Sequence, residues 1–100
     1  MKYAARTDAN HAEIRQALRD IGVGVHDTSS AGKGLPDLLC VKDSRIVLVE
    51  VKNGKRPPSA RELTVAQKAL RATLQAHGSD IAVVTNIGEA LALFGAQVMA

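Results

Sequence analysis

The sequence predicts an α/β fold: a helix, three strands, a second helix, a fourth strand and a short closing helix, with the strands in one four-stranded mixed sheet flanked by the helices. Three observations predict it. Apolar residues recur at helical spacing from about Asp8 to Ile21 and again from about Arg61 to His77. Two β-rich runs, 37–42 and 45–52, are separated only by Asp43-Ser44, which signals a hairpin. A further β-rich run, DIAVVT at 80–85, follows the second helix.

Each element has its own warrant. The first helix carries Ile14, Ala17, Leu18 and Ile21 along one stripe, with Thr7 and Asp8 as candidate caps and Gly22 with Gly24 as the stop. Val23 to Asp27 is a short strand, and TSSAGKGLP after it is a Ser- and Gly-rich loop. In the second arm of the hairpin both alternating faces are apolar: Ile46 and Leu48 on one, Val47, Val49 and Val51 on the other. Such a strand is expected to be central and covered on both sides. NGKRPPSA reads as a basic, Pro-containing loop. The second helix places Leu63, Ala66, Leu70, Thr73 and Leu74 on one stripe and ends at Gly78. Asn86 caps the last helix, which carries Ala90, Leu91, Leu93 and Phe94.

Bulk properties bound the function. One hundred residues suit a single domain, spanning 1–100. With one Tyr, one Phe and no Trp, the core must be aliphatic and thin, which favours self-association to bury more surface. The net charge of +3 suits a polyanionic partner without demanding one. The single cysteine, Cys40, lies in an apolar run and reads as a buried free thiol. His11, His26 and His77 lack metal-ligand spacing and read as ordinary histidines, His11 alone lying beside motif residues. There is no apolar stretch long enough for a membrane span and no signal-peptide core at the N-terminus, so a cytoplasmic protein with no membrane partner is expected.

Three charged residues resist a purely structural reading. Glu50 and Lys52 interrupt an otherwise apolar strand and project from the same face. Two readings compete: a salt bridge where the strand end frays into solvent, or a functional pair at a covered sheet surface. Asp37 bears on the choice. A hairpin loop with an even residue count, such as Asp43-Ser44, sets residue 37 directly opposite residue 50, with Cβ atoms about 5 Å apart. An odd count would turn Asp37 to the other face, so the proposal depends on register. Two carboxylates that close repel unless a cation lies between them. Mg²⁺ or Mn²⁺ is the natural candidate, being hard and oxygen-seeking, and no Cys/His cluster suggests zinc. Such an ion polarises a phosphoryl oxygen and acidifies water, while Lys52 orients or deprotonates the nucleophile or neutralises charge on the phosphorane. Pro36, lacking an N–H, suits the first position of a strand and helps fix where Asp37 begins it.

Pro36-Asp37 followed by Glu50-Val51-Lys52 resembles the PD-(D/E)xK nuclease signature, and the order αβββαβ is similar to the restriction-endonuclease-like core. The larger set RTDANHAEI (6–14), GKGLPDLL (32–39), LVEVK (48–52), PPSARELTVAQ (57–67) and the terminal VVT plus helix resembles the small stand-alone VRR-NUC proteins of bacteriophage and prophage. The likeness covers roughly residues 6–94. It implies DNA cleavage with Mg²⁺ or Mn²⁺ in a bacterial host cell, and a homodimer similar to Holliday-junction resolvases. It also implies that Asp37 and Glu50 ligate metal with the Val51 carbonyl, that Lys52 is the catalytic lysine, that Glu13 lies near the metal, and that Gln67 is the family's glutamine.

Two of these residues also have readings of their own. On a helical wheel Gln67 falls about 40° from Leu63, on the apolar stripe, where a glutamine needs a partner from the active site or the backbone. Glu13 sits on the flank of its stripe, a solvated position absent the family. Lys33, Lys55 and Arg56 bracket the site and suit phosphate contacts or plain solvated loops. No aromatics are interleaved for base stacking. The leading expectation is a metal-dependent DNA endonuclease selective for branched structures. A non-catalytic nucleic-acid-binding or assembly module on the same fold is the alternative, and nothing in the residues distinguishes DNA from RNA.

Overall fold

The computed structural model describes residues 10–55, 57 and 62–95. It shows α1 (His11–Asp20), β1 (Gly24–Asp27), β2 (Leu38–Lys42), β3 (Arg45–Val51), α2 (Val65–Ala76), β4 (Ile81–Val84) and α3 (Ile87–Ala92). The strands form one mixed sheet in the order β1-β2-β3-β4: the first three antiparallel, β4 parallel to β3. This is the predicted αβββαβ order with its closing helix. Among the described residues no helix is long and apolar enough to cross a membrane.

The β2–β3 hairpin is the element on which the predicted site depends. Asp43 and Ser44 both adopt left-handed φ, 52° and 65°, the type I′ geometry whose twist matches the strands it joins. Two residues in the turn give even register: Leu38 pairs with Val49, Cys40 with Val47 and Lys42 with Arg45. Continued by one residue, the same register sets Asp37 opposite Glu50.

Alternation along the strands builds the core on one side of the sheet. Leu38, Cys40, Val49, Val51 and Val84 are fully buried there against Ile14 and Leu18 of α1 and Ala90 and Leu91 of α3. Cys40 is a free, buried thiol, pushed up to about 11 by burial. The crossover helix α2 contributes nothing to that cluster and belongs to the opposite face, as a parallel β3–α2–β4 connection requires. Its only buried residue is Gln67; Leu63, Leu70 and Leu74 are half-buried, while Ala66 and Thr73 of the expected stripe are exposed. Covering of β3 on both sides therefore holds only at one end. Val49, Glu50 and Val51 are buried, but Ile46 is 64% exposed beside Val41 at 40%.

Two expected boundaries shift for identifiable reasons. The second helix begins at Val65, not near Arg61, because Thr64 and Gln67 form a reciprocal capping box: the Gln67 N–H donates to Thr64 Oγ1 and the Thr64 N–H to Gln67 Oε1. The first helix starts at His11 with Asn10 at its N-cap, and the candidate caps Thr7 and Asp8 lie outside the described residues. Asn86 caps α3 as predicted, its Oδ1 accepting from the Glu89 N–H at 2.8 Å.

The loop between β1 and β2 is pressed against the start of α2. Gly34, with φ +82°, sits so close that an added Cβ would lie 2.7 Å from the carbonyl carbon and oxygen of Ala66. Gly34→Ala combines a disfavoured φ with a backbone clash and is expected to destabilise the fold by about 2 kcal/mol or more, measured by urea unfolding. A change below about 0.5 kcal/mol would show that this contact does not hold the loop.

Candidate active site

Beyond the Leu38–Val49 pair the ladder changes character, and the change builds the site. Pro36 has no N–H to offer, and it is fully buried where the strand begins. The Val51 N–H, which a continued ladder would direct to the Pro36 carbonyl, donates to the Asp37 carboxylate, Oδ2, at 2.9 Å. In return the Asp37 N–H donates to Glu50 Oε1 at 3.3 Å. Thr28 anchors the other side of the same dipeptide: its hydroxyl donates to the Pro36 carbonyl at 2.6 Å and its N–H to the Asp37 carbonyl at 2.8 Å.

Lys52 completes the group. Its Nζ lies 3.1 Å from Glu50 Oε2, with the two side chains only 13% and 6% exposed. The salt bridge entertained for this pair is thus present, yet it is buried and the strand end does not fray. The Lys52 N–H continues the pairing to β4 by donating to the Val84 carbonyl at 2.9 Å. Two carboxylates and one ammonium therefore meet at the buried end of the sheet, as the even register predicts.

The electrostatics record the imbalance of that set. Burial first, and then the charge of Glu50, push the Asp37 carboxyl up to about 6 against the Val51 N–H, His11 and Lys52, which pull it down. A hard dication would relieve the repulsion, and the oxygen-only donor set of Asp37 and Glu50 fits one.

The other predicted residues are placed differently. Glu13 is exposed and lines an open groove with Asn10, Asn53, Gly54, Lys55, Thr85 and Asn86. Among the described residues no three His, Cys, Asp or Glu side chains gather closely enough to hold one metal ion, so Glu13 does not join Asp37 and Glu50. Gln67 is buried, at 7% exposure, with its carbonyl oxygen engaged by the Thr64 N–H. The backbone reading of its partner is therefore the one observed. Lys33 is exposed in the β1–β2 loop with φ 57°, and Lys55 is exposed beyond Asn53. Arg56 lies outside the described residues.

Two residues carry more than their sequence context suggested. His11 is only 3% exposed, its Nε2 has no partner among the described residues, and its charge bears on both Asp27 and Asp37. Its position three before Ile14 and seven before Leu18 puts it on the buried stripe, a signal visible in the spacing. Asn10 reaches across the fold: its Nδ2 donates to the Thr85 carbonyl at 2.6 Å and the Lys52 carbonyl at 3.3 Å. No local pattern announces that.

No family model and no curated protein matches the chain. A solved structure described as a VRR_NUC domain does: it superposes with a TM-score of 0.63 at 23% identity, covering 85% of this chain and 89% of that one. The chain therefore has the fold of a VRR_NUC domain.

Burial of Asp37 has a consequence for stability. Its folded value, about 6, lies above the ordinary 3.8, so between those values the native state holds the proton more tightly and stability falls as pH rises. Removing that ionisation is expected to help the metal-free protein. Asp37→Asn should match wild type below about pH 4 and exceed it by about 1–3 kcal/mol at pH 8 in urea unfolding. Equal stability at pH 8 would contradict the burial of this charge.

Proposed function

We propose that the chain is a metal-dependent DNA endonuclease of the VRR-NUC type, with Asp37, Glu50 and Lys52 as its active centre. The observation that carries this reading is the meeting of two carboxylates and an ammonium at one buried sheet end, on a fold shared with a VRR_NUC domain.

Asp37 and Glu50, with the Val51 carbonyl, would hold Mg²⁺ or Mn²⁺. Bound there, the ion supplies Lewis acidity toward a phosphoryl oxygen and lowers the pKa of water. Lys52, held 3.1 Å from Glu50, would orient the attacking water or neutralise charge developing on the phosphorane. Gln67 would offer its amide N–H₂ to water or substrate, while its oxygen accepts from the Thr64 N–H in the cap of α2. Lys33, Lys55 and Arg56 would contact phosphates and place the duplex without reading bases. Glu13, on the groove beside Lys55, faces substrate rather than the two carboxylates in this reading.

Cleavage tests the assignment directly. With Mg²⁺ or Mn²⁺, wild type should nick plasmid and cut a panel of linear, flap, splayed-arm and four-way substrates, with branched DNA preferred. Asp37→Ala and Lys52→Ala should each lose roughly 10³-fold or more. Equal behaviour of all three proteins would make the chain a binding module and not an enzyme.

A homodimer is part of the same reading, because a domain this small offers little surface for a branched substrate. Val41 and Ile46, paired across the hairpin, are exposed on the face away from the core, as is Val83 on β4, and a second copy would cover them. Sedimentation at micromolar concentration should give twice the chain mass; a monomer would exclude the dimer.

A further inference from the structure

We infer that Asn10 is a positioning residue for Lys52, an inference that rests on the nuclease reading above. Lys52 lies one residue past the end of β3, where no ladder partner on the β2 side holds it. Its N–H is fixed by the Val84 carbonyl at 2.9 Å, and its carbonyl accepts from Asn10 Nδ2 at 3.3 Å. Both peptide groups flanking its Cα are thus tied down, which sets the direction in which the side chain leaves toward Glu50. The second N–H of the same amide donates to the Thr85 carbonyl at 2.6 Å, so one side chain bridges the ends of the two parallel strands.

The bridge spans 42 and 75 residues of sequence and joins the start of α1 to β3 and β4. Carbonyl oxygens only accept, so facing two of them forces the NH₂ side of the carboxamide toward the strands. The arrangement forgoes local alternatives. Asn10 occupies the N-cap of α1 yet makes no side-chain cap bond, although asparagine is among the best residues for one. Its Oδ1 is buried without a partner among the described residues. The far end of the bridge is braced in turn, since the Thr85 N–H and hydroxyl both donate to Glu89 Oε1, at 2.6 and 2.7 Å. A side chain spent on distant backbone, at the cost of its own helix cap and an acceptor, is placed for what it holds. What it holds is the backbone of the catalytic lysine.

The test compares wild type, Asn10→Asp, Asn10→Ser and Lys52→Ala in Mg²⁺-dependent cleavage of duplex and branched DNA, with kcat and KM separated and expressed per folded molecule. Asn10→Asp keeps the shape but removes both donors, and should lower kcat roughly 10–100-fold with KM within about threefold. Asn10→Ser is too short to reach either carbonyl yet caps α1 well, and should lower kcat as far as Asn10→Asp does; it carries the test if Asn10→Asp does not fold. A purely structural role would instead leave kcat per folded molecule at the wild-type value. That result, or a raised KM with kcat unchanged, overturns the inference while leaving the nuclease reading intact. An inactive, folded wild type defeats both.

Discussion

The pair of hydrogen bonds between Asp37 and the end of β3 is the interaction on which the rest of the site depends. One carboxylate takes the place of a ladder partner for the Val51 N–H, while its own backbone N–H is taken by the neighbouring carboxylate of Glu50. Each acidic group is thereby held by backbone, which lets a half-buried and a buried carboxylate sit side by side. Pro36 ends the ladder from both sides, because it has no N–H to donate to β3 and its carbonyl accepts from the Thr28 hydroxyl instead of the Val51 N–H. Upstream, the two-residue turn at Asp43-Ser44 determines that the carboxylates meet at all.

The two faces of the sheet divide the labour. One is sealed by α1 and α3 over an aliphatic core and supplies the rigidity. The other, shared with α2, is only partly covered, and it is the side from which Asp37, Glu50 and Lys52 project by alternation with that core. The helices serve the site mainly through their ends. The start of α1 supplies Asn10 and His11, and the first turn of α2 meets the Gly34 loop that leads into Pro36 and Asp37.

The trio was legible in the sequence because period-two alternation and an even turn are local rules, and together they determine which side chains share a face. The order of elements and the Asn86 cap were legible for the same reason. The apolar stripe runs back past Thr64 and so points to too early a start for α2, although T-x-x-Q is itself a start signal. Full covering of β3 did not follow from its apolar residues, since a hairpin tip extends beyond the helices that pack on its base. Asn10 was not legible: its partners lie far along the chain, and nothing near it distinguishes a bridge from a cap. His11 was half legible, on the buried stripe by spacing but without a sign of which carboxylates it would face. Glu13 entered by family likeness alone, and the fold sets it on a groove apart from the carboxylate pair.

The central claim is that the Asp37–Glu50 pair is a cation site. Anomalous diffraction from crystals of the wild-type chain grown with Mn²⁺ tests it most directly. One ion is expected, with carboxylate oxygens of both Asp37 and Glu50 within about 2.5 Å. Manganese bound elsewhere, on the Glu13 groove for instance, with Lys52 still paired to Glu50 and no ion at Asp37, would contradict it.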